Sequence, residues 1–237
     1  MLDAPQLRRY QNDGFLALPG LFAFDEVAWL RDESQTVALR RRAEPGSGWI
    51  EEAPEGTIYG AHLDSSAFAR LAAHPRLVAV ATALLGEPAY IHQTRLLPWQ
   101  AKAPVDVLWR RDVATWSALD GLPEARAVTA AVLLDDEAYG PALQLVPGSH
   151  RAGSRGGPRL AGLGGGLGTV VFYDANLTYA FGRAGERPHA RLFLVSFNAL
   201  INAPAAPRGA PYAEADPAPP RVEPDDCLWP APWCAAG

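Results

Sequence analysis

The chain has 237 residues, 49% of them hydrophobic and 20% charged, with a formal net charge of −5 and a pI near 5.5. That balance fits one globular domain with a sizeable core and excludes a basic stripe for nucleic acid. Met1-Leu2-Asp3 opens no signal pattern, no apolar run approaches the roughly 20 residues of a bilayer span, and Cys227 and Cys234 alone make neither a disulfide framework nor a zinc site, so a cytoplasmic protein without membrane partners is expected.

Residues 4–13 read as a polar helix stopped by Gly14, and 15–22 as a short apolar strand interrupted by Pro19-Gly20. Residues 25–42 read as one helix, with Val27, Leu30, Val37 and Ala38 on a partial apolar face. Its end, Arg40-Arg41-Arg42, is read as a solvated C-terminus rather than a binding patch. Residues 44–60 read as a Gly/Pro-punctuated loop, and 65–73 and 75–85 as two helices, the second stopped by Gly86. From Tyr90 the pattern changes to strands: 90–97, 105–112, 126–135, 142–146, 169–174 and 190–199 are rich in Val, Leu, Ile and aromatics. Helices followed by a run of strands imply an α+β chain on an antiparallel barrel. The glycine-rich stretch 153–168 neither opens a helix nor carries a Lys-Ser/Thr end, so it reads as a connector and not a phosphate loop. Residues 203–237 read as a Pro/Ala-rich tail to a single domain over 1–202.

Several ordered motifs carry a resemblance. They are Tyr10-Gln11-Asn12-Asp13-Gly14-Phe15, Leu84-Leu85-Gly86, Tyr90-Ile91-His92-Gln93-Thr94-Arg95, and Trp109-Arg110-Arg111-Asp112 with Trp116 and Asp120-Gly121-Leu122-Pro123. Pro147-Gly148-Ser149-His150 and the segment 168–174 with Asn176 follow. Together they resemble the phytanoyl-CoA dioxygenase family, in its ectoine hydroxylase branch. The resemblance implies a double-stranded β-helix, a jelly-roll barrel with helices outside it. It also implies an Fe(II) ion held by a His-x-Asp…His triad and chelated by 2-oxoglutarate.

This chain departs from that pattern. Arg110 stands at the first histidine, Tyr179 at the second, and Asp112 alone keeps the family's residue. The carboxylate clamp of the last strand falls on His189 or on Arg191, two residues further along, and the connector after Arg151 is shorter than in ectoine hydroxylases. Arginine has no lone pair to offer a metal and stays protonated. At an effective dielectric near 20, its charge 4 Å from a divalent ion costs roughly 8 kcal/mol. Neither Fe(II) nor 2-oxoglutarate is therefore expected to bind. His62-Leu63-Asp64 repeats the His-x-Asp spelling but lies ahead of the barrel strands, so no ligand role is read for it. His150 is read as a structural hydrogen-bonding residue and His74 as a surface residue at a helix start.

Arg110 and Asp112, taken as i and i+2 of a strand, share a face and are expected to form a salt bridge in the vacated metal space. The functional expectation makes Asp112, Tyr179 and His189 the catalytic groups. Arg110, Gln93, Arg95, Trp116 and Arg191 are expected to bind a small polar or anionic molecule. The sequence thus reads as a metal-independent biosynthetic enzyme performing an elimination, isomerisation or cyclisation. A non-catalytic binding protein and a hydroxylase with unusual ligands are the alternatives.

Overall fold

The computed structural model describes residues 2–43, 57–97, 109–120, 126–135, 143–151, 161–163, 165–181 and 191–202. The expected tail over 203–237, most of the glycine-rich connector, residues 105–108 of the strand expected over 105–112 and His189 lie outside the described residues.

Helix α1 (Ala4–Asp13) begins in a capping box, in which Asp3 accepts from the Gln6 amide at 2.7 Å and donates its own amide to the Gln6 side chain at 2.8 Å. It stops where expected, at Gly14, whose φ of 81° suits glycine. A Cβ there would also sit 2.4 Å from His150 Nδ1, so this turn is pressed against the Pro-Gly-Ser-His turn. His150 Nε2 meets the Gln11 carbonyl at 3.2 Å, the structural role expected of it. After β1 (Phe15–Leu18), the single helix expected over 25–42 is two pieces, α2 (Phe24–Val27) and α3 (Leu30–Ala43). The expected loop ends in a short strand, β2 (Ile58–Tyr59), with Ile58 in the core. Helices α4 (Ala61–Asp64), α5 (Ser66–Ala72) and α6 (Pro75–Leu85) follow.

By length and composition Ser66–Leu85 could cross a membrane, which the sequence reading missed. Here it is two helices broken at Ala73-His74 that bury Phe68, Leu71, Leu77 and Ala81 in the core. His74 is not the surface residue expected: it is 3% exposed, caps α6 by accepting from the Arg76 amide at 3.1 Å, and meets Phe22 edge-on. Burial, reinforced by the Arg76 charge, lowers its pKa to about 4.

The remaining elements are β3 (Ala89–Leu97), α7 (Asp112–Asp120), β4 (Ala127–Leu133), β5 (Leu143–Leu145), β6 (Ala161–Leu163), β7 (Val170–Asp174), β8 (Tyr179–Phe181) and β9 (Leu192–Ala199). A six-stranded antiparallel sheet, ordered β1-β7-β4-β9-β3-β2, faces a three-stranded one, β6-β5-β8. Alternation along the strands divides the large sheet into two faces. Val128, Ala130, Val132, Phe172, Phe193 and Val195 look outward onto the helices. Ala131, Leu133, Val171, Tyr173 and Leu194 look inward and meet Leu143, Leu145, Tyr179 and Phe181 of the small sheet. This is the α+β double-stranded β-helix that the sequence implied.

Candidate functional site

The barrel interior is apolar toward one end and polar toward the other. The polar end is built around Asp112. The sequence reading put Asp112 in a strand beside Arg110, but it is the first residue of α7, and its ion-pair partner is Arg95. The Arg95 Nη2 atom lies 2.9 Å from Asp112 Oδ2, with both side chains about 5% exposed or less. Arg95 Nη1 donates to the Tyr179 hydroxyl at 2.8 Å, and that hydroxyl donates onward to Asp112 Oδ1 at 2.5 Å. Thr129 of β4 donates to Asp112 Oδ2 at 3.2 Å and lies 2.9 Å from Ser196 of β9. Tyr173 of β7 accepts a longer bond, 3.4 Å, from Arg95 Nη2.

Thr129, Tyr173 and Ser196 escaped the sequence reading. Their signal was present: each is a polar or hydroxyl-bearing residue on the inward phase of a strand that is otherwise apolar.

The electrostatics follow from burial. Taking Arg95 out of water favours its neutral form, but the adjacent Asp112 outweighs this and holds the guanidinium charge more firmly than usual. Burial raises the Tyr179 pKa; the Arg95 charge opposes the rise and Asp112 adds to it. Tyr173 is raised by burial and then by Asp112. At neutral pH Tyr179 therefore keeps its phenolic proton and presents it to Asp112.

Arg110 joins the site through the main chain. Its amide donates to the Tyr179 carbonyl at 2.9 Å, and the Tyr179 amide donates to the Arg110 carbonyl at 3.0 Å. Residues paired this way point to one side of a ladder, so Arg110 faces the barrel with Tyr179. Its guanidinium lies 5.4 Å from the centre of the Phe181 ring.

The structure thus unites Asp112, Tyr179 and Arg95, with Arg110 at their edge. Gln93, two residues before Arg95, shares its face of β3 and is 5% exposed. Trp116, expected to line a pocket, is 1% exposed and packs on His92 with ring centres 4.5 Å apart. Arg191, expected to bind substrate, instead clamps the ends of β4 and β9 together. Its Nη1 lies 2.7 Å from Asp135 Oδ1, and its amide donates to Asp135 Oδ2 at 2.8 Å. His62 bonds Thr94 at 2.6 Å, and Asp64 pairs with Arg41.

The sequence pattern of the phytanoyl-CoA dioxygenase (PhyH) family matches residues 10–160, more than half of the chain. The chain belongs to the phytanoyl-CoA dioxygenase family. It is 35% identical over 156 residues to the ectoine dioxygenase of Stutzerimonas stutzeri, covering 62% of this chain and 50% of that protein. The chain spans about half the length of the first curated relatives it matches. It is 28% identical over 243 residues to the L-proline trans-4-hydroxylase of Streptomyces griseoviridis, covering 86% of this chain and 89% of that one. The crystal structure of EctD from S. alaskensis with 2-oxoglutarate and 5-hydroxyectoine superposes with a TM-score of 0.76 at 31% identity, over 94% of this chain and 87% of the other. The same enzyme with bound Fe gives 0.77 at 30% identity.

These relatives correct the expectation about cofactors. A family member at this level of identity holds Fe, and holds 2-oxoglutarate, so the sequence argument that this chain uses neither does not stand. Asp112 is the side chain placed to contribute a ligand, but three hydrogen bonds already converge on its two oxygens. Among the described residues no three His, Cys, Asp or Glu side chains gather into a set. As they stand, these residues do not fit a facial triad, which needs two imidazoles beside the carboxylate.

Proposed function

We propose that this dioxygenase-fold chain binds a small polar or zwitterionic molecule inside the barrel, in the chemical class of ectoine and L-proline. The observation that carries the reading is a pair of buried donors without a hydrogen-bond partner: Gln93 Nε2 and Arg95 Nε, both on the inward face of β3. A buried donor left unsatisfied costs about 1–3 kcal/mol, so a carbonyl or carboxylate oxygen of a ligand supplies what is missing. Arg110 at the edge of the site suits a second anionic group.

The triad is degenerate in this reading, with Arg110 and Tyr179 at the two imidazole positions. Asp112 and Tyr179 are then the proton-transferring pair for an elimination, isomerisation or cyclisation, Asp112 as acceptor and Tyr179 as donor. A second reading, a protein that binds without turnover, is favoured by the way Arg95 and Tyr179 close over Asp112.

Calorimetric titration with ectoine and with L-proline tests the proposal, each with and without Fe(II) and 2-oxoglutarate, followed by product analysis in air. Saturable binding is expected, weakened about tenfold or more by Gln93→Ala. Affinity identical in Gln93→Ala, or no binding under any condition, sinks it. Oxidised product formed only with Fe(II) and 2-oxoglutarate replaces the acid–base reading with hydroxylation. A further expectation concerns the triad: Arg110→His with Tyr179→His raises Ni(II) affinity about tenfold or more over the unmodified chain. A folded double variant with unchanged affinity removes the triad assignment.

A further inference from the structure

Strand β3 carries one residue too many. Ile91 stands opposite Phe197 and Gln93 opposite Ser196, so the register shifts across His92. Such bulges redirect the chain and turn side chains toward a site. The extra residue brings Gln93 and Arg95 onto the inward face, in phase with Ser196, and leaves His92 against α7.

His92 is 1% exposed and its ring is fixed from behind by a chain of hydrogen bonds. Asn202 Nδ2 donates to Asn198 Oδ1 at 2.9 Å, and Asn198 Nδ2 donates to the Tyr90 hydroxyl at 3.1 Å. The Tyr90 hydroxyl lies 3.3 Å from His92 Nδ1. With the Tyr90 oxygen accepting from Asn198, its hydroxyl proton is available to Nδ1, the arrangement in which Nδ1 accepts and the ring proton sits on Nε2.

In front of the ring stands Trp116. It lies four residues after Asp112 on α7, one helical turn away and on the same face. Helix α7 is therefore seated on β3 at two points, Trp116 on His92 and Asp112 on Arg95. Around Trp116 the described cluster is completed by Ala127, Ala175 and Val113. His92 and Arg95 thus meet the same helix face one turn apart.

We propose that His92, held as the Nε2–H tautomer by Tyr90, is a positioning residue that sets Asp112 against Arg95, Thr129 and Tyr179. This rests on the reading of that cluster as the functional site. The test uses the full chain, with nuclear magnetic resonance of the His92 ring nitrogens, the Trp116 indole N–H and the Tyr179 Cζ, which reports the hydrogen bond to Asp112. The unmodified chain is expected to show Nδ1 as the unprotonated nitrogen. Tyr90→Phe removes one hydroxyl and is expected to shift both the Trp116 and the Tyr179 signals. His92→Asn, which keeps an acceptor near the Nδ1 position, is expected to restore the Tyr179 signal better than His92→Leu, which only fills space.

A proton on Nδ1 in the unmodified chain overturns the proposal. So do a Tyr179 signal indifferent to Tyr90→Phe and equal behaviour of the Asn and Leu variants. If Tyr90→Phe does not fold, the comparison of His92→Asn with His92→Leu decides. None of these readings needs a ligand, so they stand or fall apart from the binding of ectoine or proline. Where binding is found, Tyr90→Phe is expected to weaken it about tenfold, although Tyr90 carries neither unpartnered donor.

Discussion

Two Arg–Asp pairs border the same large sheet and differ in burial and in the company they keep. Arg95–Asp112 closes at 2.9 Å inside the barrel, and Arg191–Asp135 closes at 2.7 Å at the sheet's end. The first is almost fully buried and shares its charges with Tyr179, Tyr173 and Thr129. The second keeps 19% and 13% of its side chains exposed, stands beside a second arginine, Arg31, and fastens a backbone amide. A pair in which one arginine grips a single carboxylate with both its amide and its guanidinium, at a sheet's edge, fits a fastening role. A pair buried as deeply as Arg95–Asp112 costs the fold desolvation that a hydrophobic pair would avoid, which suits a site that does more than fasten.

This contrast can be broken by removing each cation or anion in turn. The largest effect is expected for Arg95→Ala, which strands a buried carboxylate and lowers unfolding stability by about 3–5 kcal/mol in urea titrations. A loss no greater than that of an Asp135 variant ends the distinction. Tyr179→Phe removes one donor to the Asp112 carboxylate and is expected to cost about 1.5–3 kcal/mol by the same measurement.

A third pair, Arg76–Glu26 at 2.9 Å, sharpens the comparison because His74 lies against it. The His74 pKa is lowered to about 4 in the folded chain, so the unfolded chain takes up the proton first as pH falls. The neutral-state stability is complete above about pH 6.5 and is lost as pH drops toward 4, by an amount on the order of 1–2 kcal/mol once residual solvent screening is allowed for. His74→Gln should flatten that part of the pH profile; an unchanged slope between pH 6.5 and 4 assigns it to other groups. The smallest effect is expected for Asp135→Asn, about 1 kcal/mol or less, because the amide still accepts from the Arg191 backbone.

The fold was legible because its signals are local and periodic. Gly14 and Gly86 stop helices where a left-handed residue is needed, and the inward and outward phases of β4, β7 and β9 are written in alternating side chains. The site was legible only in part. Asp112 and Tyr179 were identified through the family resemblance, and they do touch. The partner of Asp112 was misread because α7 starts at that residue, which turns its carboxylate away from the strand phase that would have paired it with Arg110. Arg95 was taken for a ligand-binding residue alone, since a 17-residue separation carries no local sign of an ion pair. His74 was misjudged because its burial depends on Phe22, which approaches from a distant part of the chain.

The bridge between Arg110 and Tyr179 has a consequence for descent. Both of its hydrogen bonds run from main chain to main chain, so the pairing is indifferent to which side chains occupy the two positions. Exchanging imidazole, guanidinium or phenol at either place leaves these two main-chain bonds in being, while the cost falls on the side-chain contacts, most heavily at buried Tyr179. The ladder thus separates what holds the strands from what the site's side chains do, and a change of chemistry at these two positions is paid for in the site and not in the strand pairing.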